Sequence, residues 1–336
     1  MNWNKGYSAS YYMTIVDSKT WRDLERIEII DGSIKKDVSN LMQSADVTCM
    51  RYPRNIEQWV RIWLDAKQGE TSEHVALFTG LAVSPDRDIN GLIETNAVEC
   101  YSVLKPADDI LLERGWYAPE GFKGSALVRQ LLSVVPAPIV EEDFSPSLAS
   151  SIIAEDGETK LSMANKILTA INWRLKIDGD GTIHICSKPA GASIIFDALE
   201  MDIIEPQIKV SYDWYDCPNI FRAIEEDLIG IARDDSEDSP LSTVNRGREI
   251  WAEEINCNLN DGESVAEYAY RRLKEEQQRE TSITYNRRFV PGIEPTDIVR
   301  LHLPAQNVDG DFVIESQSIG LGFGARVSEV AELWQK

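Results

Sequence analysis

Along much of its first hundred residues the chain alternates apolar and polar side chains with a period of two, the repeat of a half-buried β-strand. The clearest case is "EQWVRIWLDA": Val60, Ile62, Leu64 and Ala66 make one face, and Trp59, Arg61, Trp63 and Asp65 make the other. The first is an ordinary core face. The second carries two tryptophans, which calls for a packing partner rather than water alone. "YYMTIV", "LERIEII", "HVALFTGLAV" and "NAVECYSVL" are further predicted strands, with Asp31-Gly32 and Ser84-Pro85-Asp86 as turn signals between strands. Short strands spaced in this way predict a sandwich or a small barrel.

The period then changes. "PADDILLERG", ending at Gly115, and "GSALVRQLLSVV" read as helices, and the Pro- and Ser-containing "EEDFSPS" reads as a connector. Leu161, Ala164, Leu168 and Ile171 keep helical spacing, and that helix runs into "WRLKIDGDGTIHI", residues 173–185. From about residue 191 strands return in "PQIKVSYDWY", "NIFRAI" and "LIGIA". A helix is predicted over 262–279: Ser264 and Glu267 form a capping box, and Val265, Tyr268, Ala269 and Leu273 line one face. Glu267/Arg271 and Glu275/Arg279 are its expected i,i+4 ion pairs. "DIVRLHL", "DFVIESQSIGLGF" and "ARVSEVAEL" follow as strands. The pattern predicts an α+β chain, mainly β, with a β domain over 1–105, a smaller α+β unit over 106–190 and a second β domain over 191–336.

Composition narrows the function. The 336 residues carry 34 Lys+Arg against 56 Asp+Glu, a net charge of -22. DNA affinity comes largely from neutralising phosphates, so specific nucleic-acid binding is not expected, and anionic membranes are disfavoured as well. Cys49, Cys100, Cys186, Cys217 and Cys257 are scattered and never paired as C-x-x-C, the pattern of buried thiols in a reducing compartment. The opening residues lack the apolar stretch of a secretion signal, and no run approaches the roughly 20 apolar residues that span a bilayer. The expectation is a soluble chain made in the cytoplasm.

Candidate chemistry is sparse. Read as a calcium loop, Asp178 and Asp180 would be positions 1 and 3, but Thr182, Ile183 and Pro189 then fall at positions 5, 6 and 12, where an oxygen ligand, a glycine and a glutamate are needed. Strand alternation on both sides and the Asp-Gly turn instead predict a hairpin. "ARDDSEDSP" holds Asp234, Asp235, Glu237 and Asp238 without a ligand spacing, and reads as a solvated loop. His74, His184 and His302 lie far apart. No serine-hydrolase, zinc-protease, P-loop or dinucleotide motif occurs. No catalytic residue, cofactor or metal site is therefore assigned. Two basic stretches stand out: "NRGREIWAEE" places Arg246 and Arg248 near Trp251, and "YNRRFVPG" places Arg287 and Arg288 between Tyr285 and Phe289. Arginine beside aromatics is the composition of protein contact hot spots, and intramolecular ion pairing is the plainer use.

Taken together, "WRDLERIEIIDGSIKKD", "WVRIWLDA…ALFTGLAVSPDRDING", "CYSVLKPADDILLERGWYAPEG", "GETKLSMANKILTAINWRLKIDGDGTIHI", "SPLSTVNRGREIW" and "YNRRFVPGIEPTDIV" resemble the baseplate hub proteins of contractile-tailed phages, more narrowly the XkdQ/YqbQ-like hubs of defective prophages and tail-like bacteriocins. The likeness runs from about residue 7 to residue 330. It implies two domains similar to the tail-tube subunit, and a homotrimeric ring that offers six such units to a sixfold tube and a threefold face to a central spike. The implied partners are further copies of the chain, the tail tube or its initiator, the spike, other baseplate proteins and a tape-measure protein in the channel. The implied role is structural, in the tail baseplate of a particle assembled in the bacterial cytoplasm, with any hydrolase carried by another protein. Trp59, Arg61, Trp63, Arg246, Arg248, Trp251, Arg287 and Arg288 are the residues expected at contacts between subunits or domains. Part of the negative charge is expected to line the bore, with Arg246, Arg248, Arg287 and Arg288 away from it. The alternative is a carbohydrate-active enzyme or a cell-wall-binding module, suggested by abundant carboxylates and tryptophans.

Overall fold

In the computed structural model the residue 57–66 alternation becomes one wall of a barrel. The structure describes all residues except 40, 54–56, 92, 198–202, 213, 258, 261, 279–280 and 335–336. Strands β1 (Ser8–Val16), β2 (Asp23–Asp37), β3 (Gln43–Cys49), β4 (Gln58–Gln68), β5 (Thr71–Asn90) and β6 (Ile93–Ser102) pair in the order β1-β4-β5-β6-β3-β2, and β2 returns to β1. Every pairing is antiparallel. Val60, Ile62, Leu64 and Ala66 point inward onto Met13, Val47, Phe78 and Val98. Burial of one large aliphatic side chain is worth about 1.5–3 kcal/mol, so this shared interior holds the wall together.

Both turns expected inside this region are bulges within long strands. The register of β2 shifts between Ile29 and Asp31, and that of β5 between Val83 and Asp86. A bulge bends a strand with extra residues instead of ending it. Gly32 is needed there because a Cβ would lie 2.5 Å from the Asp46 carbonyl oxygen.

The middle of the chain forms a separate core. It comprises α1 (Lys105–Asp108), β7 (Tyr117–Ala118), α2 (Gly124–Leu131), β8 (Ile139–Glu141), β9 (Ile152–Ile153), α3 (Lys160–Ala170), β10 (Trp173–Ile177) and β11 (Ile183–Ser187). Val128, Leu132, Leu161, Met163, Ile167 and Ile183 fill its interior. The helix expected over "PADDILLERG" is a single turn, α1. Beyond it the backbone bonds outward: Leu112 N donates to Glu158 O (2.8 Å) and Lys160 N to Ile110 O (2.9 Å), so residues 110–112 run as an extended partner of 158–160.

β10 and β11 are the hairpin predicted from "WRLKIDGDGTIHI", paired from Trp173↔Ser187 to Ile177↔Ile183. Its tip is a plug as well as a bend. A Cβ on Gly179 would lie 1.9 Å from the Ala76 carbonyl oxygen, and one on Gly181, at φ +85°, would lie 2.9 Å from the Trp21 ring. The two glycines let the tip press against the backbone of β5.

The rest of the chain contributes β12 (Ile194–Asp197), β13 (Ile204–Tyr212), β14 (Ile220–Glu225), β15 (Leu228–Arg233), α4 (Thr243–Arg246), β16 (Trp251–Ile255), α5 (Val265–Gln278), β17 (Thr281–Arg287), β18 (Ile298–Leu303), β19 (Val308–Gly320) and β20 (Val327–Leu333). Six of these strands pair in the order β12-β18-β19-β20-β17-β13. Matched by rank along the chain, this is the order β1-β4-β5-β6-β3-β2. One pairing differs in direction, since β12 and β18 are parallel. The second set has its own core around Phe196, Tyr285, Val299, Leu301, Phe312 and Ile314. The chain is thus α+β and mainly β, as its pattern predicts.

Between β13 and β17 the chain inserts the small sheet β15-β14-β16, covered by α5. Val265, Tyr268, Ala269 and Leu273 face Phe221 and Ala223, and the capping box forms, with Ser264 N donating to Glu267 Oε2 (2.9 Å). The expected Glu267/Arg271 pair is not made. Glu267 is spent on the cap, and Arg271 turns back to hold both oxygens of Glu263 (2.8 and 3.0 Å) and also bonds Glu275 (3.0 Å). Arg279, the expected partner of Glu275, lies outside the described residues.

The two six-stranded sets join through one edge. Ser316–Gly320 of β19 pairs antiparallel with Ser33–Asp37 of β2, making a single 12-stranded sheet. Charges pin the same place. Lys36 Nζ contacts both Glu294 oxygens at 2.7 Å, Arg174 Nη2 bonds Asp297 Oδ1 at 2.9 Å, and Lys176 Nζ lies 3.7 Å from Asp297. β2, the middle unit and the second strand set therefore meet at one buried cluster. The seating of the hairpin tip is open to a direct check. Gly179→Ala should cost about 1–3 kcal/mol by overpacking, read as a lower urea midpoint; an unchanged midpoint would show that the tip is not held against β5.

Candidate assembly interface

Strand alternation sends Arg61 to the outside of the first barrel, and the hairpin tip covers it there. Arg61 is 5% exposed. Its Nε donates to Thr79 Oγ1 (3.0 Å), Nη1 to Asp23 Oδ1 (3.0 Å) and Nη2 to the Asp180 carbonyl (3.0 Å). Trp21 Nε1 donates to the same carbonyl (2.9 Å), and Thr79 Oγ1 donates to the carbonyl of Gly179 (2.8 Å). Trp59 packs 5.5 Å from Trp21 and against the middle core. The partner that the aromatic face asks for is supplied for these residues by the same chain. Trp63 stays on the barrel flank, stacked on Tyr12 at 6.4 Å and donating to Thr14 Oγ1 (3.3 Å).

The two basic stretches are used differently from each other. In the first, Arg246 Nη1 donates to Cys217 O (2.7 Å) and Nη2 to Trp214 O, while Arg248 Nη2 donates to Tyr215 O (2.9 Å) and its guanidinium lies 5.6 Å over the Tyr215 ring. They fasten a loop whose Trp214 and Tyr215 side chains are exposed. Trp251, on β16, is half exposed, with its indole N–H on Glu249 (3.2 Å). These residues form an outward aromatic and arginine surface.

In the second stretch Arg287 is not available to a neighbour, contrary to its place among the expected contact residues. It is fully buried, with Nε and Nη2 on the two oxygens of Glu329 (2.8 and 2.6 Å) and Nη1 on Arg288 O (3.0 Å). Gln317 Nε2 also donates to Glu329 (2.7 Å). Burial would push the Glu329 carboxyl up, but the charge and hydrogen bonds of Arg287 outweigh it and hold the carboxyl below its ordinary value. Arg288 is half-buried in a groove of about 530 Å³ that also meets Tyr7, Tyr11, Arg326 and the fully exposed Phe323.

The acidic stretch 232–240 also departs from its expected state. Asp234 is buried and accepts from Ser239 Oγ (2.6 Å) and Gln277 Nε2 (3.0 Å), so it ties the loop to α5 instead of lying in solvent. The three histidines each stand beside one aspartate on or next to their own strand: His74 by Asp65, His184 by Asp178, His302 by Asp309. Among the described residues no group of three His, Cys, Asp or Glu side chains is placed to hold a metal ion. No disulfide joins the five cysteines; Cys49, Cys100, Cys217 and Cys257 are buried and Cys186 is half-buried. The cluster of Lys36, Glu294, Arg174 and Asp297 was missed from the sequence. Its partners lie far apart along the chain, and no local motif marks them. Burial pushes the Glu294 carboxyl above its ordinary value despite Lys36 against it.

A six-strand order that occurs twice in one chain, joined in one continuous sheet, is the fold of phage tail proteins of known structure. No family model and no curated protein matches the sequence. Solved structures do. The chain is similar to the tail protein from Neisseria meningitidis MC58, with a TM-score of 0.71 at 12% identity over 97% of both chains. It is similar to the 43 kDa tail protein of prophage MuSo2 from Shewanella oneidensis, with a TM-score of 0.67 at 14% identity over 97% of this chain and 98% of that one. An E. coli component of the type VI secretion system, described as structurally similar to T4 bacteriophage tail proteins, aligns at a TM-score of 0.53 and 8% identity, over 92% of this chain and 74% of that one. At these identities the likeness is one of fold.

The contrast between the arginines has a measurable side. Glu329→Gln leaves Arg287 buried without a countercharge and should cost about 3–5 kcal/mol at neutral pH, whereas Arg248→Ala should cost under about 1 kcal/mol. Because the folded-state pKa of Glu329 is lowered, its stabilisation is complete above the ordinary glutamate range and is lost as pH falls through the lowered value. The gap between wild type and Glu329→Gln in denaturant titrations should therefore narrow on acidification. A gap that widens would contradict the assignment.

Proposed function

We propose that the chain is the structural hub of a contractile phage tail or tail-like particle. Three copies form a ring whose six barrel units match the sixfold tail tube on one side, while its threefold face seats the central spike on the other. The observation that carries this reading is the double occurrence of one strand order within one chain, in one continuous sheet. A subunit built from two equivalent units is what lets three copies present six positions. The fold shared with tail proteins over nearly the whole chain supports the same reading. The tail tube or its initiator, the spike, other baseplate proteins and a tape-measure protein in the channel are its partners, and the virion baseplate is its place. The tail-protein likeness also supports a non-enzymatic role. A groove of about 790 Å³ beside α5 does bring together Tyr270, Trp334 and Glu275, but Glu275 is held by both Arg271 and Arg272. That arrangement gives the carbohydrate-enzyme reading no support.

The net charge of -22 per chain, tripled in the ring, suits a bore through which a polyanion must pass without sticking. Excess carboxylate repels phosphate over the roughly 8–10 Å that salt allows. Size-exclusion chromatography with light scattering should return three times 37.9 kDa, and low-salt titration with duplex DNA should show no micromolar binding. A monomer at every concentration would overturn the ring, and micromolar DNA binding would overturn the repelling bore.

A further inference from the structure

The duplicated strand order points to where one copy meets the next. Resting on the ring reading above, we propose that β5 beyond its bulge pairs antiparallel, through Asp88–Asn90, with the outer edge of β13 at Val210–Tyr212 in a neighbouring copy of this chain.

The template is the seam inside the chain. β19 has β20 along one edge. On its other edge it pairs with β18 up to Val313, and after a register shift between Ile314 and Ser316 that edge takes β2 over Ser316–Gly320. By rank, β5 is the counterpart of β19. It has β6 along one edge and β4 along the other up to Ala82, and its register shift falls between Val83 and Asp86. The bulge therefore sits at the same point in both strands, directly after the last residue paired to the preceding strand. Beyond it, Asp86–Asn90 has β6 on one side and, among the described residues, no strand on the other.

β13 is the counterpart of β2. Each pairs antiparallel with the next rank, β3 or β17, and shows a bulge directly after the first paired residue, Ile29/Asp31 in β2 and Ile204/Ile208 in β13. The free edge of β2 takes β19. The matching edge of β13 takes, among the described residues, no strand. Each chain thus has one used and one unused copy of both halves of the same joint. The unused halves complement each other between chains, which is the head-to-tail contact that generates a ring, made by strand addition at a sheet edge.

Side chains agree with this. Ile319 is buried in the internal seam, 2% exposed, whereas its counterpart Ile89 is 57% exposed in the single chain. Transferring the register of the internal seam puts Ile89 opposite Ser211, next to the exposed Tyr212. The competing account is that Asp86, Arg87 and Asp88 are edge charges that discourage stray pairing.

The full chain serves for the test. Asp88→Cys with Tyr212→Cys, treated with a short bismaleimide, should give covalent species up to a trimer on a denaturing gel, beyond anything the wild type gives. Ile89→Asp, exposed in the single chain and so expected to keep the wild-type circular dichroism melt, should raise the concentration needed for trimer at least tenfold. If the wild type is a trimer while the cysteine pair does not cross-link and Ile89→Asp assembles normally, the seam is wrong and the ring reading survives. If the wild type is monomeric at all concentrations, both fall.

Discussion

Five residues of β2 laid against five of β19 are the contact on which the relation of the two halves depends. Backbone pairing fixes direction and register, and Ile34, Ile319 and Leu321 exclude water from it. Beside the seam, Lys36 and Glu294 are buried as a pair. Such a pair adds little net stability, because desolvation offsets the attraction, but separating it leaves bare charges in a dry place. Its effect is to penalise any other docking angle. Arg174 and Asp297 do the same for the middle unit, so these ion pairs fix the angle at which apolar residues such as Trp59, Ile319 and Leu321 join one core to the next.

What the sequence made legible was local. The alternation in β4, the 173–185 hairpin and the capping box of α5 each depend on neighbours a few residues away, and each formed. The errors share a different cause. "PADDILLERG" has helical composition, but its backbone found an extended partner at 158–160. Asp31-Gly32 and Ser84-Pro85-Asp86 have turn composition, yet a bulge uses the same residues to bend a strand and continue it. Periodicity cannot separate these outcomes, because the deciding partner lies elsewhere in the chain.

The same limit applied to the candidate contact residues. Arginine beside aromatics marks a hot spot or an internal clasp with equal force, and only the distant partner decides. Glu329 claims Arg287, the Asp180 carbonyl claims Arg61, and the 214–217 loop claims Arg246 and Arg248. The chain uses much of its scarce positive charge on itself.

The internal seam also orders events during synthesis. The pairings that close the first barrel are all available once β6 has emerged, since each of them joins two of β1 to β6. The lower edge of β2 must then wait for β19, which is made more than two hundred residues later. Through that interval a folded barrel carries a bare strand edge, the kind of surface that pairs with whatever strand comes first. β19 is therefore a late clasp. A chain cut short before it would keep the bare edge of β2 and would also lack the strand that joins β18 to β20.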